Sequence, residues 1–305
     1  MSINTLEYAK IFQGSLDTQM LAGATSGWME TNATQVKYNG GDEVKMPEIT
    51  TAGLAKYDRD NGFVRGAVTL KFGTYKLTQD RGRTFSLDAM DVDETNFVTA
   101  AGNVMGEFQR LQVIPEVDAY RYSRIAALAK GASNEKAAFT PSADNIIGQL
   151  EEDITAVQDV VGDGEPLVII MNRKVQTANN AANIRRYIDV GNFTAGTVTT
   201  KVRTFNEIPI FGVPSSRMKT QYVFNDGKTA GQEKGGFKAD TQAKDINWIV
   251  IAQRAPIAVS KTDKVRIFEP DTNQNADAWK LDYRKYHDLW IPSNKLAGVF
   301  VNTGA

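Results

Sequence analysis

The chain contains no cysteine and only one histidine, His287, in 305 residues. Without cysteine there is no disulfide, no thiol nucleophile and no zinc site built on Cys and His, and one histidine leaves almost no room for a Ser-His-Asp arrangement. An excess of one charge is also missing: 35 Lys+Arg stand against 36 Asp+Glu, a formal net charge of −1. Holding nucleic acid by charge alone needs a net basic surface, so any DNA contact is expected to be weak or local, without sequence specificity. No run approaches the ~18 consecutive apolar residues of a membrane span, and the first ten residues lack a basic stretch followed by an apolar one, so no membrane partner is expected. Asn39-Gly40-Gly41 and Lys234-Gly235-Gly236 lack the lysine-hydroxyl ending of a phosphate loop and read as turns. Neither a cofactor nor a metal is expected, and enzymatic activity is not. A paired-carboxylate glycosidase stays formally open because 36 acids are available, although a count of acids names no pair.

What is present fits an ordinary globular chain, with 42% hydrophobic and 23% charged residues, enough for about two domains or one elaborate one. Ile3, Leu6, Ile11, Leu16 and Met20 recur at helical spacing and stop at Gly23, which predicts a short amphipathic helix. Ala24 to Gly41, with Trp28, Met29 and Tyr38, keeps no period and reads either as an extended arm or as a segment tucked onto its own domain. From Glu43 the pattern alternates, and Asp58-Arg59-Asp60-Asn61-Gly62 is a strong turn signal. Phe63 to Thr78 returns with Val64, Val68, Leu70 and Phe72 on one parity. A hairpin with one modest apolar face and a charged tip is marginal alone in water. It must lie on its own chain or on a neighbouring subunit. A second turn is expected at Asp80-Arg81-Gly82-Arg83.

Phe97, Ala101, Val104, Phe108 and Leu111 mark a long helix opened by Asp91, Asp93 and Glu94, with Pro115 expected to bend or end it and the period resuming through Val117, Tyr120, Ile125 and Leu128 to Gly131. Ser142 to Val160 predicts a second helix, Leu167 to Met171 a buried strand, and Lys174 to Tyr187 a polar helix. Strands are expected at Thr197 to Thr204, Ile208 to Phe211 and Tyr222 to Phe224. Asn225 to Ala243 is expected to be a mobile loop. Further strands follow at Asn247 to Ala252, Pro256 to Val259, Val265 to Phe268, Trp279 to Ile291 and Gly298 to Asn302. Glu151-Glu152-Asp153 and Asp58 to Asp60 match no calcium loop and read as solvated faces. Arg185-Arg186, Arg217 and Lys219 fit helix-surface charges and salt bridges as well as a DNA contact. His287, within Tyr286-His287-Asp288, reads as a hydrogen-bonded sheet residue.

Leu111 to Ala126 (LQVIPEVDAYRYSRIA), Phe205 to Thr220 (FNEIPIFGVPSSRMKT) and Asp282 to Asn302 (DYRKYHDLWIPSNKLAGVFVN), in that order behind an arm and a hairpin, resemble the major capsid proteins of tailed bacteriophages. The resemblance covers nearly the whole chain and implies an α+β subunit of the Hong Kong 97-type capsid fold. It implies an N-terminal arm (1–42), an extended hairpin loop (43–90), a peripheral domain with a spine helix (91–141), an axial domain (142–245) and strands returning to the peripheral domain (246–305). The implied function is a structural head protein that assembles as pentamers and hexamers into an icosahedral shell around double-stranded DNA, in the virion, after synthesis and assembly in the host cytoplasm. Arm and hairpin would reach other subunits, with Lys56, Asp58, Arg59, Asp60, Arg65 and Trp28 as contact candidates. A separate scaffolding protein is an expected partner, because the arm is read as beginning at Met1, and a portal is expected as well. A covalent link from Lys56 to Asn294 or Asn302 is not expected, since no surrounding pattern singles them out. An encapsulin-like nanocompartment shares the fold and is the main competitor.

Overall fold

The computed structural model describes residues 23–35, 37–38, 43–59, 62–90, 104–183, 189–195 and 198–305. The helix expected at Ile3 to Leu21, the start of the long helix at Asp91 to Ala101, Asp60 and Arg185-Arg186 lie outside them. In chain order the strands and α-helices are β1 (Lys37–Tyr38), β2 (Glu43–Thr51), β3 (Val68–Lys76), β4 (Gln79–Asp88), α1 (Ile114–Gly131), β5 (Glu135–Lys136), α2 (Ile146–Val161), β6 (Leu167–Asn172), α3 (Arg173–Asn183), β7 (Asp189–Ala195), β8 (Val198–Phe205), β9 (Ile208–Val213), β10 (Tyr222–Phe224), β11 (Phe237–Ala239), β12 (Ile246–Ala252), β13 (Ile257–Phe268), β14 (Ala278–Trp290) and β15 (Val299–Thr303).

The main core forms around β6 and β12, whose sequences LVIIMN and INWIVIA are buried at every residue. Runs that apolar, with no polar alternation, are stable only in the middle of a sheet covered on both faces. Both strands take that place in a seven-stranded sheet of order β5-β15-β12-β6-β9-β8-β7, in which β6 runs parallel to β9 and β5 parallel to β15. Cover comes from α2 on β12 and β15 and from α3 on β6 and β9. Tyr122, Ile125, Ala126 and Ala129 of α1 join the same core, together with Trp28 and Met29.

A second sheet, β13-β14-β4, packs Leu281, Tyr283, Phe85 and Leu87 on Met105, Phe108, Val113, Ile114 and Val117 of the helical stretch leading into α1. Pro115 neither ends nor interrupts that stretch. A π turn at Gln109–Val113 precedes it, with the Ile114 N–H bonded to the Gln109 carbonyl, and the proline then falls in the first turn of α1, where its missing N–H is harmless. The third sheet is β1-β2-β3.

Four further expectations are revised. The turn at Asp80-Arg81-Gly82-Arg83 is uninterrupted strand β4: a Cβ on Gly82 would meet the Tyr283 carbonyl at 2.8 Å, so this glycine marks a close approach of β14. The loop Asn225 to Ala243 is built rather than loose, with β11 paired to β10 and Asp226 accepting from the N–H groups of Lys228 and Thr229. The final strands divide: β13 and β14 join β4, whereas β12 and β15 lie beside β6, so the large sheet runs across the boundary at 245/246. Residues 27–35 form a 3-10 helix on their own chain, not an extended arm.

Candidate assembly surface

Strands β2 and β3 are paired through nine residue pairs, from Glu43 with Lys76 to Thr51 with Val68. Their foot is anchored: Val44, Met46 and Leu77 pack with Ile257, Val259 and Trp290, and the Tyr75 ring lies 5.7 Å from that of Trp290. Beyond the foot, apolar side chains lose their partners. Val68, Leu70 and Phe72 share one face of β3 by the two-residue period, and all three are exposed. Leu54, Phe63 and Val64 at the tip are exposed too, Phe63 at 88%. The tip is closed by reciprocal backbone bonds between Asp58 and Gly62 and by the Tyr57 and Phe63 rings, 4.9 Å apart edge to face. Lys56, Asp58, Arg59 and Arg65 are exposed around it. A contiguous apolar surface rimmed by charge is the mark of a protein contact.

Trp28, the sixth contact candidate, is a core residue of its own chain. It is 6% exposed, and its ring meets Phe193 edge to face at 6.2 Å. The reason is a buried polar network that holds the segment around it. Asp118 of α1, fully buried, accepts hydrogen bonds from the N–H and hydroxyl of Thr25 (3.2 and 2.8 Å), from the N–H and hydroxyl of Ser26 (3.1 and 2.5 Å) and from Arg217 (3.0 Å). Arg121 donates to the Ser26 carbonyl and pairs with Glu30, and Asn32 donates to the carbonyls of Gln253 and Pro256. Burial pushes the Glu30 carboxyl up, but the Arg121 and Lys285 cations pull it further down, below its ordinary value. Arg217 and Lys219 are thus occupied in ion pairs within the subunit, with Asp118 and Asp245.

At the hairpin's foot, the Thr78 N–H and hydroxyl donate to Asp288 (2.9 and 2.8 Å), and the Tyr120 hydroxyl donates to its other oxygen at 2.6 Å. Burial, then the Asp288 charge, pushes the Tyr120 phenol far above its usual range. His287 is buried beside the Tyr120 ring, with Nδ1 unbonded, and burial holds its imidazole well below the ordinary value. It is a sheet residue, as expected, but its Nδ1 lacks the hydrogen bond expected with it, and Arg121, Lys285 and Arg81 further oppose protonation.

A half-open cavity of about 680 Å³ lies between β4, the helical turns before α1 and the loop at 225–236. It is the place to look for paired acids. Its carboxylates are engaged: Glu116 with Arg81, Glu107 with Arg110, Asp80 with Arg284, and Asp226 with its own loop. Three of them are pulled down, Asp80 and Glu107 by their arginine partners and Asp226, to about 2, by the Thr229 hydroxyl and loop amides. A glycosidic general acid needs the opposite shift. Among the described residues no group of three or more His, Cys, Asp or Glu could hold a metal ion, and no helix is long and apolar enough to cross a membrane. Of Glu151-Glu152-Asp153, the first two are exposed, while Asp153 is buried and accepts from Trp248 and Asn302.

Sequence reasoning found the hairpin and missed the network. Asp118, Arg121 and Arg81 meet partners from 35 to 155 residues away, and a local period carries no sign of that.

No family model matches the sequence, and no curated protein does. Solved structures do match. The mature capsid of bacteriophage PhiM1 superposes with a TM-score of 0.57 at 13% identity, over 88% of this chain and 83% of that one. The capsid of cyanophage P-SCSP1u gives 0.57 at 12% identity, over 88% and 85%. A structure from Gordonia phage Cozz gives 0.54 at 15% identity, over 87% and 81%. With its mixed helices and sheets, the chain has the α+β fold of these phage capsid structures.

Proposed function

We propose that this chain is the major capsid protein of a tailed phage, a structural subunit that assembles as pentamers and hexamers into an icosahedral shell around double-stranded DNA. The observation that carries this reading is the hairpin: on a capsid fold, Val68, Leu70 and Phe72 are exposed on a strand paired along its whole length, and Leu54 and Phe63 are exposed on the tip beyond it. A second copy supplies the missing layer. Each such contact can be modest, since a standard interface buries roughly 1,600 Å² and closure repeats it around every subunit until no edge is open. A net charge of −1 suits close packing of many copies. The shell confines its DNA mechanically, without sequence-specific contact, and a separate scaffolding protein and a portal guide its closure. The subunit performs no catalysis.

Negative-stain electron microscopy of the purified chain, alone and with a candidate scaffolding protein, tests this. Closed shells, or rings of five or six, are expected. A monomer at every concentration contradicts the reading. Shells that enclose a protein cargo and protect no DNA from nuclease would favour the nanocompartment instead.

A further inference from the structure

Arg81 stands at the crossing of three parts of the subunit. It lies on β4, five residues beyond the end of the hairpin strand β3. Its Nε and Nη2 donate to the two carboxylate oxygens of Glu116 on α1, at 2.7 and 3.3 Å. Nη1 donates to the Asn225 carbonyl at 2.7 Å and Nη2 to the Gly236 carbonyl at 3.1 Å, while the guanidinium sits 5.8 Å from the centre of the Phe224 ring. Those two carbonyls are the two ends of one loop, and the Asn225 N–H itself donates to Gly236 at 2.9 Å. The guanidinium therefore grips the loop at its neck. Arg83, on the same face of β4, reaches the Glu233 carbonyl at 3.4 Å. Its Nη1 would lie only 3.4 Å from a Cβ on Gly227 or Gly235, both at positive φ, so glycine there leaves room for the arginine as well as for the turn.

We propose that Arg81 is a positioning residue for assembly: it fixes the loop 225–236 to the hairpin's foot and to α1, so that the contact-making hairpin keeps one placement relative to the body of the subunit. The purpose rests on the assembly reading above, while the contacts stand without it. Only arginine offers a planar fork that can serve a carboxylate and two carbonyls together, and a lysine ammonium has no such geometry. The ion pair with Glu116 orients the guanidinium, and the bonds to the carbonyls hold the loop.

Amide hydrogen exchange on the unassembled full chain separates these roles. In R81Q the loop amides of Asn225, Gln232 and Gly235 are expected to exchange at least about tenfold faster than in the parent chain, with β6 and β12 unchanged. In E116Q, where the carbonyl bonds remain, the same amides should stay within about threefold. R81K should resemble R81Q, and decides the matter if R81Q does not fold. Parent-like loop exchange in R81Q or R81K would overturn the proposal, as would an E116Q loop as loose as that of R81Q, or acceleration spread evenly over β6 and β12. A parent chain that never assembles would sink the capsid reading and leave this comparison standing.

Discussion

Strands β12 and β3 carry similar apolar side chains and end in opposite surroundings. Every residue of β12 is buried, whereas Val68, Leu70 and Phe72 of β3 face solvent. Backbone pairing does not separate them, because β3 is matched to β2 along its whole length. The difference is the second layer. Helices lie over β12, whereas the far part of β3 has no covering layer among the described residues, leaving about 1.5–3 kcal/mol per large apolar side chain to be gained from another molecule. On the proposed function, stability of the subunit and cohesion of the shell belong to different strands, and substitutions should divide along that line.

The largest effect on the subunit is expected at Asp118. Alanine there removes the partner of the half-buried Arg217 charge and of four donors from half-buried Thr25 and buried Ser26, and should cost about 3–5 kcal/mol in urea unfolding. A loss under about 1 kcal/mol would mean the network does not hold the Trp28 segment. Ile169→Ala in the centre of β6 should cost about 2–5 kcal/mol through the cavity it leaves, and a value near zero would remove β6 from the buried half of the comparison.

Next comes acidification. His287 is the chain's one histidine, and its folded pKa is held below the ordinary 6.5 by burial and by Arg121 and Lys285, with Arg81 from β4 adding to them. The unfolded chain takes up this proton near pH 6.5 and the folded chain does not, so the contribution is complete above that pH and is lost as pH falls below it, at up to about 1.4 kcal/mol per pH unit. Glu30 acts lower, its contribution fading only as pH falls through and below its ordinary 4.5. His287→Gln should therefore flatten the stability profile between pH 6.5 and 5. An unchanged slope would show that another group supplies it.

The smallest effect on the subunit belongs to the hairpin. Leu70→Ser with Val68→Ser should move unfolding of the free chain by no more than about 0.5 kcal/mol per site, yet abolish shells in sedimentation. Loss of subunit stability comparable to that of Ile169→Ala would place this face inside its own fold.

The sequence made both sides of this comparison legible where the pattern is local. LVIIM and NWIVIA read as buried strands, and the turn at Asp58 to Gly62 with its one-sided return strand reads as a hairpin without a seat. The capsid fold followed from the order of such parts. What was not legible depends on partners far along the chain. Strand β7, DVGNFTA, is a polar strand at the sheet's edge whose Phe193 finds Trp28 and Phe211 only in three dimensions. Gly82 carries the letter of a turn and the geometry of a close strand contact. Asp118 and Arg121 look like the polar face of a helix and are fully buried, because Ser26, more than ninety residues away, completes them.

The central claim is that the hairpin's seat lies on another copy of the chain, and amide exchange across residues 52–59 and 63–67, in free subunits and in assembled particles, tests it most directly. Among the described residues, Ala52 and Asp58 donate backbone hydrogen bonds here, to Ala67 and Gly62. Rapid exchange in the free chain and slowing by about a hundredfold or more in the shell is the predicted result. Equal protection in both states would contradict it.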